Sequence, residues 1–91
     1  MTAGEKIQAE TDQKLANPWQ VILFNDEVHT FDEVIFQIQK ATGYSLEKAS
    51  QITRMVHENG RALVWVGDKP KCERVGDVLK LIGLEVSIEK T

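Results

Sequence analysis

The sequence predicts an α+β domain: a single small unit in which a three-stranded, mostly antiparallel sheet is covered by three helices, in the order β-α-α-β-α-β. Three observations carry that reading. Short apolar runs alternate with a period of two at the strand positions. Apolar residues recur every three or four positions at the helix positions. A capping or stop signal stands at nearly every junction between them. A chain of 91 residues, 42% hydrophobic and 27% charged, suits one domain with one modest core.

The N-terminal residues 1–17 are rich in Glu, Lys, Gln, Thr and Ala, with Ile7 and Leu15 as the sizeable apolar groups besides Met1. Ordering such a stretch loses more backbone entropy than its burial returns, so a flexible arm is expected here and the folded core at 18–91. A short amphipathic helix from Glu5 to Leu15 is the competing reading. Pro18, with its fixed φ and missing donor, suits entry to a first strand. In that strand Trp19, Val21 and Leu23 alternate with Gln20, Ile22 and Phe24, so both faces are largely apolar.

Thr30 and Glu33 have the spacing of a capping box, and Val34, Ile35, Ile38 and Ala41 follow with helical period, which sets a first helix from Phe31 to Thr42. Gly43 supplies its left-handed stop and Ser45 the next N-cap. Leu46, Ala49, Ile52 and Val56 then form the stripe of a second helix that Gly60 ends. Leu63 to Val66 read as the second strand, and Gly67-Asp68-Lys69-Pro70 as a turn, with Pro70 in the first turn of a third helix. Val75, Val78, Leu79 and Ile82 are that helix's inner face, and Gly83 its stop. Leu84, Val86 and Ile88 alternate with polar neighbours as a half-exposed third strand.

Composition narrows the function classes. Fourteen acidic against 11 basic residues leave a net charge of −3, which argues against phosphate-driven binding of nucleic acid. The longest apolar runs are strand-sized, too short for a bilayer, and the N-terminal stretch lacks the basic-then-apolar pattern of a signal sequence, so a cytoplasmic protein is expected. The lone Cys72 cannot form an internal disulfide. Two histidines and one cysteine far apart give no metal-ligand spacing, and no cofactor motif is present.

Asn25-Asp26-Glu27 stands where the first strand breaks before the Thr30 helix start, so a carboxamide and two carboxylates occupy one strand-to-helix corner. His57 stands near the end of the second helix, just before Gly60. Two acceptors and a carboxylate brought together would recognise an amine. Each group also has a plainer reading: Asn25 and Asp26 as turn formers bonding nearby amides, and His57 as a partner for terminal helix carbonyls. Glu27 and His57 could also form an acid–base pair, yet no nucleophile motif, phosphate loop or metal set accompanies them, so an enzyme is not expected.

Leu23-Phe24-Asn25-Asp26-Glu27, the helix ending from Met55 to Ala62 with His57 and Gly60 inside it, and the terminal Ser87-Ile88-Glu89-Lys90 together resemble ClpS, the adaptor of the bacterial Clp protease. The resemblance runs from about Trp19 to Lys90 and agrees with the element order read from the pattern. It implies a non-enzymatic adaptor that holds the free α-amino group and bulky apolar first residue of an N-degron substrate. The bound protein would then pass to the N-terminal domain of a Clp AAA+ unfoldase of ClpA or ClpC type. Position by position, it implies Asn25, Glu27 and His57 as amine-binding residues, with Asp26 in the same corner. Phe31, Val34, Thr53 and Val56 would line the side-chain pocket, with His29 near its rim. Lys69 and Arg74 match the unfoldase-facing region. Glu27 stands where aspartate is common, and Phe31 and Thr53 where methionines are common, so a stiffer, locally more polar lining is expected. These departures also fit a ClpS-like interaction domain that modulates a Clp unfoldase without amine recognition.

Overall fold

The computed structural model describes residues 17–91, and the expected arm, apart from Asn17, lies outside them. Six elements follow in order: β1 (Trp19–Phe24), α1 (Phe31–Thr42), α2 (Leu46–Asn59), β2 (Arg61–Gly67), α3 (Lys69–Lys80) and β3 (Val86–Lys90). β1 is the central strand, flanked by β2 and β3, and both pairings are antiparallel. Pro18 fastens the two chain ends of the sheet, its carbonyl accepting the Thr91 N–H at 3.0 Å and the Thr91 hydroxyl at 2.9 Å.

Local signals set the helix boundaries. Thr30 accepts the Glu33 N–H and Glu33 reaches back to the Thr30 N–H, a complete capping box. Ser45 caps α2 through the Lys48 N–H, and Asp68 caps α3 through the Lys71 N–H. The Gly67-to-Pro70 segment is therefore not a free turn: Gly67 closes β2, Asp68 is the cap, and Lys69 and Pro70 open α3. α3 also stops earlier than the Gly83 signal suggests. It ends at Lys80, and Ile82 sits in the turn that follows, with Gly83 at φ 86°. Leu84 is buried ahead of β3 rather than inside it.

Val21 and Leu23 of β1 are fully buried, and Ala62, Val64, Ile38, Ala49, Val75 and Leu79 join them in one core. α3 lies across all three strands and α2 against β2, while α1 packs chiefly on α2 and α3. Gln37 ties that outer helix down, its buried carboxamide donating to the Val78 carbonyl at 2.6 Å. α3 can approach β3 closely because Gly76 faces it: a Cβ there would meet Ile88 Cδ1 at 2.9 Å. Leu46, expected in the apolar stripe of α2, is 62% exposed. It occupies the first turn, one residue beyond the cap, where α2 has not yet reached the core.

β2 carries a bulge. Val21 opposes Trp65 and Ile22 opposes Leu63, so Val64 is the extra residue. Its carbonyl accepts the Tyr44 hydroxyl at 2.9 Å, and the Tyr44 ring stacks on Trp65 with centroids 5.7 Å apart. The bulge thus fastens the α1–α2 connection to the sheet at the end remote from Asn25.

Candidate functional site

The C-terminal end of β1 is held from both sides. Phe24 donates its N–H to the Glu85 carbonyl at 3.0 Å, and Asn25 donates its N–H to the Gly60 carbonyl at 2.9 Å. Gly60 adopts φ 87°, the left-handed conformation open to glycine, and its own N–H closes the last turn of α2 on Val56. Ending α2 there brings His57 beside the corner that begins at Asn25.

The corner folds around Asp26. One carboxylate oxygen accepts the N–H groups of Val28 at 3.0 Å and His29 at 2.9 Å, an Asx turn that leads into the Thr30 cap. The other lies 2.7 Å from Nδ1 of His29. Asp26 is thus a turn former, as the plainer sequence reading had it, and both its oxygens are engaged within the protein. These donors, the backbone N–H of His29 foremost, hold the Asp26 carboxyl below its ordinary pKa against the opposing effect of burial. The His29 ring is shifted up, chiefly by its bond to Asp26 and next by the Ile82 carbonyl.

A cleft of about 330 Å³ opens between the corner, the first turn of α1, the last turns of α2 and Leu84 of the α3–β3 connection. Its size lies at the small end of ligand sites. Asn25, Asp26, Glu27 and His29 line it from the corner, Phe31 and Val34 from α1, and Thr53, Val56 and His57 from α2. All nine residues named from the sequence for substrate contact therefore border one cavity. Lys69 and Arg74 do not border it; both are exposed on α3, and Lys69 Nζ lies 4.9 Å from the Trp19 ring centroid.

The mouth is polar and the floor apolar. Asn25, Glu27 and His57 are exposed, while Thr53 and Val56 are buried. Thr53 is less polar in effect than its hydroxyl suggests, because Oγ1 donates to the Ala49 carbonyl of its own helix at 2.8 Å. Phe31, 41% exposed, stands at the rim rather than in the floor, edge-on to His57. Among the described residues the one ion pair is Asp26–His29, and none of them pairs with the Glu27 carboxylate at the mouth. Leu23, Phe24, Thr30 and Leu84 also border the cleft. Of these, Leu23 and Leu84 carry the hydrophobic alternation of strands, which marks them for the core and conceals their part in the cleft.

A family model described as ATP-dependent Clp protease adaptor protein ClpS matches residues 14–82. The ATP-dependent Clp protease adapter protein ClpS of Rhodococcus jostii (strain RHA1) is 35% identical over 81 residues, 89% of this chain and 70% of that protein. A stretch of the human E3 ubiquitin-protein ligase UBR2 is 36% identical over 64 residues, 70% of this chain and 4% of that protein. The structure of Agrobacterium tumefaciens ClpS2 bound to L-phenylalaninamide shares the fold, with a TM-score of 0.78 at 18% identity over 82% of this chain and 98% of that one. With the family model spanning the corner, the cleft and the helix that follows, this chain belongs to the ClpS family of adaptors of the ATP-dependent Clp protease.

Proposed function

We propose that this adaptor captures proteins by a free α-amino group and a bulky apolar first residue, and delivers them to a Clp AAA+ unfoldase. The observation that carries the reading is the Glu27 carboxylate, paired with no cation among the described residues, sharing one cleft with Asn25 and His57 over the floor made by Val34, Thr53 and Val56. An ammonium group would sit between the carboxylate and the acceptors at the mouth, and the adjoining side chain would enter the cleft and leave water. The related ClpS2, bound to an amino-acid amide with a free amine and an aromatic side chain, supports this class of ligand.

Delivery to the N-terminal domain of a ClpA- or ClpC-type unfoldase would draw on Lys69 and Arg74, which lie away from the cleft and leave it open to substrate. Residues 1–17 would act after binding, in delivery rather than in holding the peptide, since they carry few sizeable apolar groups. The departures at Phe31 and Thr53 favour the second reading, an interaction domain that modulates an unfoldase without holding an amine.

Peptides that differ only in N-terminal acetylation separate the two. Acetylation removes the charge and leaves polar groups at the mouth unpaired, at about 1–3 kcal/mol per group, so affinity falls at least about tenfold. Equal binding of free and acetylated peptides would overturn amine recognition and leave the interaction domain as the account.

A further inference from the structure

His29 is bound at both ring nitrogens by groups that only accept. Nδ1 meets Oδ2 of Asp26 and Nε2 meets the backbone carbonyl of Ile82, 53 positions away. A neutral imidazole carries a single N–H and can satisfy one such partner, whereas the imidazolium donates to both. The two contacts link the β1–α1 corner to the turn between α3 and β3, and His29 itself borders the cleft. The ring packs over that turn, where a Cβ at Gly83 would lie 3.9 Å from His29 Cε1.

The rest of the corner is anchored at its ends. Asn25 is fixed by Gly60 and Thr30 by the capping box, while the span between them rests on Asp26 and, through Asp26, on His29. Asn25 and Glu27, the groups placed at the mouth, flank Asp26 directly. We propose that His29 is a positioning residue for the amine site, holding as an imidazolium the corner that carries Asn25 and Glu27 against the α3–β3 turn. What the corner binds rests on the proposed function; the clamp itself does not.

The charges around the ring favour that state. Asp26 faces it from the corner and Glu33 adds a weaker attraction from α1. From α2, His57 borders the same cleft, and the α3–β3 turn presents the Ile82 carbonyl. When the ring loses its proton, one of the two acceptors loses its donor: either Oδ2 of Asp26, which loosens the carboxylate whose other oxygen holds the Asx turn, or the Ile82 carbonyl, which frees the corner from the α3–β3 turn. The consequence is a site whose geometry weakens as pH rises through the ring's titration, for a reason separate from the ligand's own amine.

The test uses the full chain labelled with ¹⁵N and begins without ligand. The chain has two histidines, so the ring signals absent from His29→Gln belong to His29. Both of its ring nitrogens are expected to be protonated below the ring's titration, and that titration to lie above the ordinary 6.5. A ring that titrates at or below 6.5 overturns the clamp. Amide exchange then reads the corner: in His29→Gln the protection of the Val28 N–H should fall about tenfold at mildly acidic pH, and wild-type protection should decline to meet it as the ring titrates. Protection that is equal in the two proteins, or that ignores the titration, also overturns it. With a phenylalanine-initiated peptide, wild type should bind about tenfold tighter than His29→Gln below the ring's titration and equally above it. A ratio independent of pH removes the positioning role. If neither protein binds the peptide while the ring and exchange results hold, the clamp stands and the amine-site reading falls.

Discussion

The Asn25 N–H donates to the carbonyl of Gly60 at 2.9 Å, and that one bond joins the two halves of the cleft's mouth. Asn25 begins the corner that carries Glu27; Gly60 ends the helix that carries His57. Because Gly60 is both the left-handed stop of α2 and the acceptor for β1, where the helix stops also fixes how far His57 stands from the corner.

Gly60→Ala tests this coupling. Nothing lies within 4 Å of the added Cβ, so the substitution meets no clash and acts through the backbone at φ 87° alone. A left-handed residue with a side chain costs roughly 1–2 kcal/mol, and a domain of this size should lose about 4–8 °C of Tm per kcal/mol. Peptide affinity should fall further than that of a control variant matched in stability on the far side of the sheet. A loss in Tm with unchanged affinity would show that Gly60 serves only the helix end.

Much of this was legible because it is local. The Thr30–Glu33 box, the Ser45 cap, the glycine stops at Gly43 and Gly60, and the strand from Trp19 to Phe24 each depend on residues a few positions apart, and the structure reproduces them. The pocket residues Phe31, Val34, Thr53 and Val56 came from the resemblance, which also favoured a binding role for Asn25 and His57 over the turn and helix-end roles that each fits better when taken alone. What was not legible depends on distant partners. The Val64 bulge is visible only once β2 is paired with β1, Leu46 falls outside the core at the first residue of α2, and the second acceptor for His29 lies 53 positions away. Glu27 is exposed next to the Asx turn that forms around Asp26, a placement that the run Asn25-Asp26-Glu27 does not reveal by itself.

That exposure shapes the expected response of Glu27. Glu27→Gln keeps the shape and removes the charge, and a hydrogen bond to a charged group is worth about 1.5–3 kcal/mol, so affinity for a peptide with a free N-terminus should fall about tenfold or more. At an exposed mouth the same attraction is screened, so wild-type affinity should also decline with added salt while that of Glu27→Gln changes little. Titrations of both proteins at low and high ionic strength check this. Parallel salt dependences would remove Glu27 as the amine's counter-charge.

Phe31 meets His57 with ring centroids 5.4 Å apart and planes at 72°, so it both narrows the entrance and steadies the imidazole. Its 41% exposure lowers the stability loss expected for Phe31→Ala to about 1–2 kcal/mol, below the 3–5 kcal/mol typical of a buried ring. The wild type should accept Leu or Phe at least as well as Trp as the first residue, and Phe31→Ala should widen the set toward Trp. Titrations with peptides that differ only in residue one supply the comparison. A wild-type preference for Trp, unchanged by the substitution, would place the specificity elsewhere.

The Asp26–His29 pair gives folding stability a defined window in pH. His29 has its folded pKa raised above the ordinary 6.5, so its contribution is fully present below that value and is lost as pH climbs through the raised one. Asp26 has its folded pKa lowered from 3.8, so its contribution is present above that value and is lost as pH falls through the lowered one. The pair should stabilise the fold most between those limits, with the alkaline limb belonging to His29 and the acidic limb partly to Asp26. Denaturant midpoints measured from about pH 3 to about pH 9 in wild type, Asp26→Asn and His29→Gln resolve the two. His29→Gln should lose the His29 share of the alkaline limb, and Asp26→Asn should weaken both limbs, since it removes the carboxylate that titrates and the partner that lifts His29. Wild type and His29→Gln with the same alkaline slope would mean that the ring does not hold its second proton in the folded protein.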